Sequence, residues 1–271
     1  MAGPSCASPG TLTALSADQA RTVRRLGLDA VGLCAAVQGL IALPGDAFGA
    51  GLPPDRMAER NTRSAERLLD RVVELDGAPF DRARSADRRI VGTCRHFAVL
   101  SVAFLQAAGV PSRARCGFAS YFVPAKLVDH WIAEHWSEPA QRWVRIDAEI
   151  LGTDLVDRPD DLAAGEFLTG GEVWRLVRTG AIDPMDVGVH GTEHWGPAEI
   201  RGNVIRDLAA RNQIEVLPWD SWGPMDDSYE GRTGEDFDRL IDEVAAACAG
   251  EDESSLRSLY RRLAVPSELI R

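Results

Sequence analysis

No segment of this sequence is long and apolar enough to be interpreted as a membrane span. A span needs about 18 consecutive apolar residues, and the segment richest in them, residues 97–108, has the length of a buried helix. The first thirty residues also lack an uninterrupted apolar stretch, because Asp18, Arg21 and Arg24 break it. The sequence therefore predicts neither a transmembrane helix nor a secretory signal peptide.

Basic side chains are fewer than acidic ones in this sequence. The 271 residues include 41 acidic and 30 basic side chains, which gives a net charge of −11. Such a chain offers no broad positive field to hold a phosphate backbone or an anionic membrane surface. Nucleic acid and membranes are therefore not predicted as partners, and the pattern predicts no particular oligomeric state.

Cysteine is sparse and lacks the spacing of a metal site. The five cysteines are odd in number, and no two of them form the C-x-x-C pair of a zinc or redox site. We therefore predict a soluble protein of the reducing cytoplasm, with no metal and no cofactor. Taken alone, each cysteine is expected to be a small buried hydrophobic side chain.

The sequence does contain a large apolar fraction, 45% of all residues, which can fill a large core. Residues 1–15 are rich in Ala, Gly, Pro, Ser and Thr, and we predict that they are disordered. Residues 16–152 are predicted to form the main domain. Beyond this domain the residue pattern predicts helices separated by loops, so residues 153–271 are predicted to form a helical extension packed on that domain.

Hydrophobic periodicity predicts an α+β fold. Ser16 is a suitable N-cap for a helix that runs toward Leu43. Apolar residues nearly surround the helix that follows Cys94, so this helix is expected to be central, with an antiparallel sheet packed on it. The further predicted elements are a helix over 62–75, strands over 113–122, 130–136 and 142–150, and C-terminal helices over 171–178, 199–211, 235–248 and 254–264.

Cys94 differs from the other cysteines in its surroundings. A cysteine attacks as the thiolate, and the unpaired N–H groups in the first turn of a helix lower the pKa of a thiol placed there. Gly92 allows a tight entry into the helix and Thr93 can cap it. The sequence therefore predicts that Cys94 is a nucleophile.

His130 is the best candidate for the imidazole that takes the thiol proton and returns it to a leaving amine. Two predicted strands are joined by a four-residue loop, 137–140. If Trp136 pairs with Gln141 across this loop, His130 falls opposite Asp147, with Cβ atoms about 4.5–5.5 Å apart. Asp147 would then orient the imidazole and complete a Cys/His/Asp triad of the papain kind.

These residues resemble the core of the transglutaminase-like superfamily, and specifically its bacterial type. The resemblance lies in 92–98 (Gly-Thr-Cys-Arg-His-Phe-Ala), 108–113 (Ala-Gly-Val-Pro-Ser-Arg), His130 with Glu134, and 143–147 (Trp-Val-Arg-Ile-Asp). It implies a papain/transglutaminase-like core, with the cysteine at a helix start and the histidine and aspartate on adjacent strands.

The sequence also departs from the family pattern. The family often has a tryptophan two residues after its histidine, whereas here Trp131 follows directly and Ile132 takes that place. Ala148 stands where a proline usually follows the aspartate. The calcium site of animal transglutaminases is not recognisable, so the resemblance implies no metal.

Four further side chains are candidates for an oxyanion or substrate pocket. Gln38 could supply a second N–H donor for a tetrahedral intermediate, although a solvated helix glutamine is the ordinary interpretation. Arg201 could bind a substrate carboxylate in a bidentate manner, or belong to a buried structural network together with Asn203. Trp131 lies next to the candidate base.

The predicted activity is acyl transfer through a thioester intermediate, with a peptide, amide or thioester as substrate. A thiol hydrolase that cleaves an amide or peptide bond, or transamidates it, is slightly favoured. One alternative is an amide-forming acyltransferase of a small-molecule pathway, which a water-excluding pocket lined by C-terminal tryptophans would favour. The other is a non-catalytic binding scaffold with the same fold.

Overall fold

A computed structural model describes residues 8–263 and 265–270. The chain divides into two compact units. Of the described residues, 8–114 and 132–162 form the first unit, and 115–131, 163–263 and 265–270 form the second. This division differs from a single cut at residue 152, because two long strands carry the chain from one unit into the other.

The first unit consists of helices and short strands, the start of one long strand and the end of another. Its elements are α1 (Ala17–Arg25), α2 (Ala30–Gln38), β1 (Ile41–Ala42), α3 (Pro44–Gly49), a 3₁₀ helix (Pro54–Asn61), α4 (Ala65–Leu75), a short 3₁₀ turn (Ala86–Arg88), β2 (Ile90–Val91), α5 (Cys94–Ala107), β3 (Ser112–Ala119), β4 (Leu127–Ser137) and β5 (Arg142–Ile146).

Helix α5 is the centre of the first unit. Every side chain from Arg95 to Gln106 is buried, and α1, α2 and α4 contact the helix. The apolar residues that surround it in the sequence therefore find partners on several sides, as an all-round apolar helix requires. The central helix predicted after Cys94 is confirmed.

The expected long first helix is two helices. The side chain of Ser16 caps α1 by accepting a hydrogen bond from the backbone N–H of Gln19 at 3.2 Å, as predicted. The helix ends at Arg25 because Gly27 adopts a left-handed backbone with φ of +65°. Asp29 then caps α2 through the backbone N–H of Gly32 at 2.8 Å.

The N-terminal segment is more ordered than its composition predicts. Residues 1–7 lie outside the described residues, but Leu12 and Thr13 are each only 1% exposed. The hydroxyl of Thr13 donates to Oε1 of Gln106 on α5 at 2.9 Å. The prediction of disorder over residues 1–15 is therefore wrong for this part, because a buried leucine and a long-range hydrogen bond offset the weak local preference.

The strands confirm the predicted α+β class. They follow the order β5-β4-β3-β6, with β7 beside β4. The pairs β4–β5 and β3–β6 are antiparallel, and β4–β7 is parallel. Strands β6 (Phe167–Thr169) and β7 (Val187–Gly188) belong to the second unit.

The register of the β4–β5 hairpin differs from the prediction by two residues. Trp136 pairs with Trp143 instead of Gln141, because Gln141 has φ of +49° and belongs to the turn. Asp147 lies beyond the end of β5. The register argument that placed Asp147 opposite His130 is therefore wrong.

The second unit is mainly helical. Beyond its strands it contains α6 (Gly170–Arg178), a 3₁₀ turn (Pro184–Asp186), α7 (Pro197–Arg211), α8 (Pro224–Tyr229), α9 (Glu235–Ala249), α10 (Glu253–Arg262) and a terminal 3₁₀ turn (Ser267–Ile270). Helix α7 contacts α6, α8, α9 and α10. Among the residues that the structure describes, no helix combines the length and apolar character that crossing a bilayer requires.

Candidate active site

Short strands deliver the chain to Cys94, the first residue of α5. β2 pairs in parallel with β1, and Gly92 follows it. A Cβ on Gly92 would lie 2.9 Å from Cγ2 of Ile41 and 3.0 Å from Cβ of His96, so only glycine fits at this entry. Cys94 therefore has its backbone N–H in the first turn of the helix, where the helix dipole favours a thiolate.

Cys94 also has more solvent access than the other described cysteines. Cys34, Cys116 and Cys248 are buried, whereas Cys94 is half-buried. Burial raises the pKa of the Cys34 thiol to about 12, against a hydrogen bond with Ser101 that lowers it. Cys34 is therefore a protonated core thiol at neutral pH, as expected for a cysteine without an activating environment.

His96 lies in the first turn of α5 and has a structural role. Its Nδ1 accepts a hydrogen bond from the backbone N–H of Thr93 at 3.0 Å. Burial lowers the pKa of its imidazole to about 3, and the positive charge of Arg95 lowers it further. His96 is therefore neutral at physiological pH and helps to hold the start of the helix.

Asp147 is held in the loop that follows β5. Its side chain is buried, with 1% exposure, and Oδ1 accepts the backbone N–H of Glu149 at 3.0 Å. The Gln38 amide donates to the carbonyls of Glu149 at 3.1 Å and Leu151 at 2.6 Å in the same loop. An amide has two N–H donors, so Gln38 supports the Asp147 loop and has no donor left for an oxyanion.

His130 lies in β4, within the second unit, with 2% exposure. Two aromatic rings from the segment that joins β3 to β4 contact its imidazole. The ring of Phe122 lies edge-on with centroids 4.9 Å apart, and that of Tyr121 lies at 6.1 Å. Neither contact can be predicted from the sequence, since nothing local signals that this segment folds back on the strand.

Two of the predicted pocket residues, Arg201 and Trp131, lie among other side chains of the fold. Arg201 on α7 donates from Nε and Nη2 to Oδ1 of Asp238, at 3.2 and 2.9 Å, and its guanidinium lies 5.3 Å from the centroid of Trp174. This favours the buried-network interpretation over binding of a substrate carboxylate. Trp131 is 1% exposed, and its indole N–H has no hydrogen-bond partner among the described residues.

Asn203 belongs to a buried polar network on α7. Its amide donates to Oδ1 of Asp129 at 2.6 Å and to the carbonyl of Gly117 at 3.1 Å. Its own oxygen accepts a hydrogen bond from Arg206 at 3.0 Å. Asp129, the neighbour of His130 in β4, was missed in the sequence because a polar residue in a half-buried strand has no local signature of function.

The described residues contain no cluster of three or more His, Cys, Asp or Glu side chains placed to hold a metal ion.

Glu59 supports the approach to Cys94. Its carboxylate accepts the backbone N–H of Val91 at 2.9 Å and pairs with Arg56 at 2.5 Å and Arg71 at 2.9 Å. Burial alone would raise the pKa of Glu59, but these hydrogen bonds and charges outweigh it and lower the pKa. Because the folded-state pKa is depressed, Glu59 stabilises the fold above the ordinary value near 4.5, and this contribution is lost as the pH falls through the folded value.

We expect Glu59→Gln to lower the free energy of unfolding by about 1–3 kcal/mol at pH 7, because it leaves buried donors poorly satisfied. Urea denaturation at pH 7 and pH 3 measures the loss, which should shrink at the lower pH. Glu74→Gln is the matched control, because Glu74 also pairs with Arg71 but is 64% exposed. Equal losses in the two variants would contradict the role given to Glu59.

Comparison with known proteins agrees with the resemblance of the sequence to the transglutaminase-like superfamily. Residues 57–148 match the model of the transglutaminase-like superfamily. A search of curated proteins gives no significant match. Among solved structures, a similar one is "a Putative Cysteine Protease from Cytophaga hutchinsonii", with 17% identity, 54% of this chain and 41% of that chain covered, and a TM-score of 0.33.

The chain thus spans about two fifths of the length of that solved structure. The family match begins in the 3₁₀ helix before α4 and ends just after Asp147, so it includes Cys94 and His130. Residues 57–148 are therefore similar to the core of the transglutaminase-like superfamily.

Proposed function

We propose that the protein is a cysteine-nucleophile acyl-transfer enzyme that cleaves or transamidates an amide or peptide bond. The single observation that carries the proposal is the position of Cys94, a half-buried thiol on the first residue of a buried helix. A thiolate there is favoured by the helix dipole and can be reached by a substrate. The family match over residues 57–148 supports the same chemistry.

In the proposed reaction, Sγ of Cys94 attacks a carbonyl carbon and His130 accepts the thiol proton. The backbone N–H of Cys94 donates to the oxygen of the tetrahedral intermediate. His130 then returns the proton to the leaving amine as the C–N bond breaks, which leaves a thioester on Cys94. Water or an amine then attacks this thioester and gives a proton to His130, the C–S bond breaks, and the acyl group leaves on the acceptor while Cys94 recovers its thiolate. In this reaction Asp147 orients the imidazole and stabilises its charged form.

The choice between hydrolysis and amide formation depends on how well water is kept from the thioester. The rings of Phe122 and Tyr121 beside His130 favour the second candidate, an amide-forming acyltransferase, because apolar groups near the base reduce access of water. The C-terminal tryptophans give less support. Trp222 is a core residue whose indole N–H donates to the carbonyl of Leu263 at 3.0 Å.

Intact-mass spectrometry with a panel of peptides, amides and thioesters tests the proposal, with and without added amines. We expect an acyl adduct on the peptide that contains Cys94, and alkylation of Cys94 by iodoacetamide at lower pH than the buried thiols. Product with incorporated amine would select the transferase. Cys116→Ala is the matched control, because it removes a buried cysteine and should keep the adduct. Absence of any adduct, with Cys94 no more reactive than Cys116, would favour the binding scaffold.

A further inference from the structure

Asp129 precedes His130 in β4, so the two side chains point to opposite faces of the strand. On its face, Asp129 meets α7, where Nδ2 of Asn203 donates to Oδ1 of the carboxyl at 2.6 Å. Asn203 is fully buried and is itself bound to Gly117 on β3 and to Arg206. The hydrogen bond from Asn203 therefore fixes the Asp129 carboxyl one residue before the candidate base, on the other face of β4.

Arg206 is the cation expected to pair with Asp129, but its N–H donors already bind other groups. A guanidinium has five N–H donors, and Arg206 uses them on Oε1 of Glu199 at 3.0 Å, Oδ1 of Asn203 at 3.0 Å, the hydroxyl of Tyr229 at 3.1 Å, and the carbonyl of Asp220 twice, at 3.3 and 3.2 Å. Tyr229 in turn donates to Oε2 of Glu199 at 2.8 Å. Arg206 is thus the partner of Glu199, and it acts on Asp129 through space and through Asn203.

The titratable groups around Asp129 come from several elements. Glu199 and Arg206 on α7 and His130 on β4 act on Asp129 directly. Tyr229 on α8 and Cys116 on β3 act on Arg206. The pKa of Asp129 is raised to about 6, first by burial and then by the negative charge of Glu199. Arg206, the hydrogen bond from Asn203 and the charge of His130 oppose this rise. At neutral pH the carboxyl is still ionised, although its surroundings disfavour the charge.

We propose that Asp129 is a positioning residue that acts through His130, and that its carboxylate, held by Asn203, stabilises the imidazolium form of His130. This inference rests on the proposed function, in which His130 carries the proton between the thiol and the leaving amine. A negative charge close to that imidazole, in a poorly solvated environment, favours the protonated state. Asp129 therefore supports the proton transfer without contacting the substrate.

The test is an NMR titration of the histidine ring protons in Cys94→Ser protein, with His130 identified by the loss of its signal in His130→Gln. We expect Asp129→Asn to lower the pKa of His130 by about one unit, because a nearby negative charge is removed. Asparagine keeps the Oδ1 that accepts from Asn203, so the geometry of the network is retained. An unchanged pKa of His130 in Asp129→Asn would overturn the proposal.

Asp207→Asn is the matched control. Asp207 is also a buried aspartate beside α7 residues, but it pairs with Arg115 at 2.9 and 2.8 Å, and its loss should leave the pKa of His130 unchanged. If that variant does not fold, Asp242→Asn replaces it, since Asp242 binds the indole N–H of Trp174 on the surface of the same unit. An equal shift in the control would show a general effect of lost charge and would also overturn the proposal.

The titration does not depend on turnover, so it separates this inference from the proposed function. If Cys94 forms no acyl adduct but Asp129→Asn still lowers the pKa of His130, the coupling stands and the reaction fails. If the adduct forms, we expect the rate of acylation in Asp129→Asn to shift its pH dependence in the same direction as the pKa of His130. A pH profile identical to wild type would count against Asp129.

Discussion

Cys94→Ala is expected to lose acyl transfer almost completely, by about 10⁴-fold or more in kcat, because a side chain without sulfur cannot form the thioester. Single-turnover kinetics with a substrate found in the mass-spectrometric panel measures this loss. Cys34→Ala is the control. Its thiol is buried and has a pKa raised to about 12, so the variant should keep its activity and lose only some stability.

The same assay tests whether Asp147 acts together with Cys94 and His130. Asp147→Asn keeps the oxygen that accepts from Glu149 but replaces the carboxylate that, in the proposed mechanism, fixes the tautomer of the imidazole. We expect a loss of about 10⁴-fold, as found when the aspartate of a serine protease triad is changed in this way. The double variant with Cys94→Ala should be no worse than Cys94→Ala alone. Near-normal kcat in Asp147→Asn would remove this residue from the mechanism.

Arg206→Leu is expected to lower the free energy of unfolding by about 3–5 kcal/mol, the largest stability effect we predict. Arg206 and Glu199 have side chains that are 2% and 6% exposed and 3.0 Å apart. Removing one partner leaves a buried charge without compensation, which costs more than the pair contributes to stability. Urea denaturation at pH 7 with one probe in each unit measures the loss.

Arg232→Leu is the matched control in the same unit. Arg232 and Asp227 are 58% and 46% exposed, and an exposed pair of this kind contributes about 0–1 kcal/mol. Adding Glu199→Gln to Arg206→Leu should recover part of the lost stability, because it removes the uncompensated charge. If the double variant is no more stable than Arg206→Leu, the loss arises from packing and not from charge.

The sequence predicts the helices better than it predicts the hairpin. The helix that begins at Cys94 and the C-terminal helix predicted over 199–211 and found at Pro197–Arg211 are confirmed almost to the residue. Both follow from side-chain spacing, which involves residues within one or two turns. The hairpin register depends instead on the backbone of Gln141, whose positive φ has no signal in its residue type.

The pocket residues illustrate the same limit. From the sequence, Gln38 and Arg201 are candidates for substrate contacts because their side chains can donate several hydrogen bonds. The structure gives them partners in distant segments: Gln38 binds a loop more than a hundred residues away, and Arg201 binds Asp238 on α9. Which donor remains for a ligand is decided by these long-range contacts, and sequence spacing holds no information about them.

The sequence by itself determined the α+β class, the start of the central helix at Cys94 and the resemblance of residues 92–147 to the transglutaminase-like superfamily. Only the tertiary structure decided that Leu12 and Thr13 are buried, that Phe122 lies against His130, and that Asp129 is held by Asn203. The physical reason is that periodicity and capping arise between neighbours in the chain. Burial and charge pairing arise between segments that meet only after folding, where the gain of each contact depends on the groups that surround it.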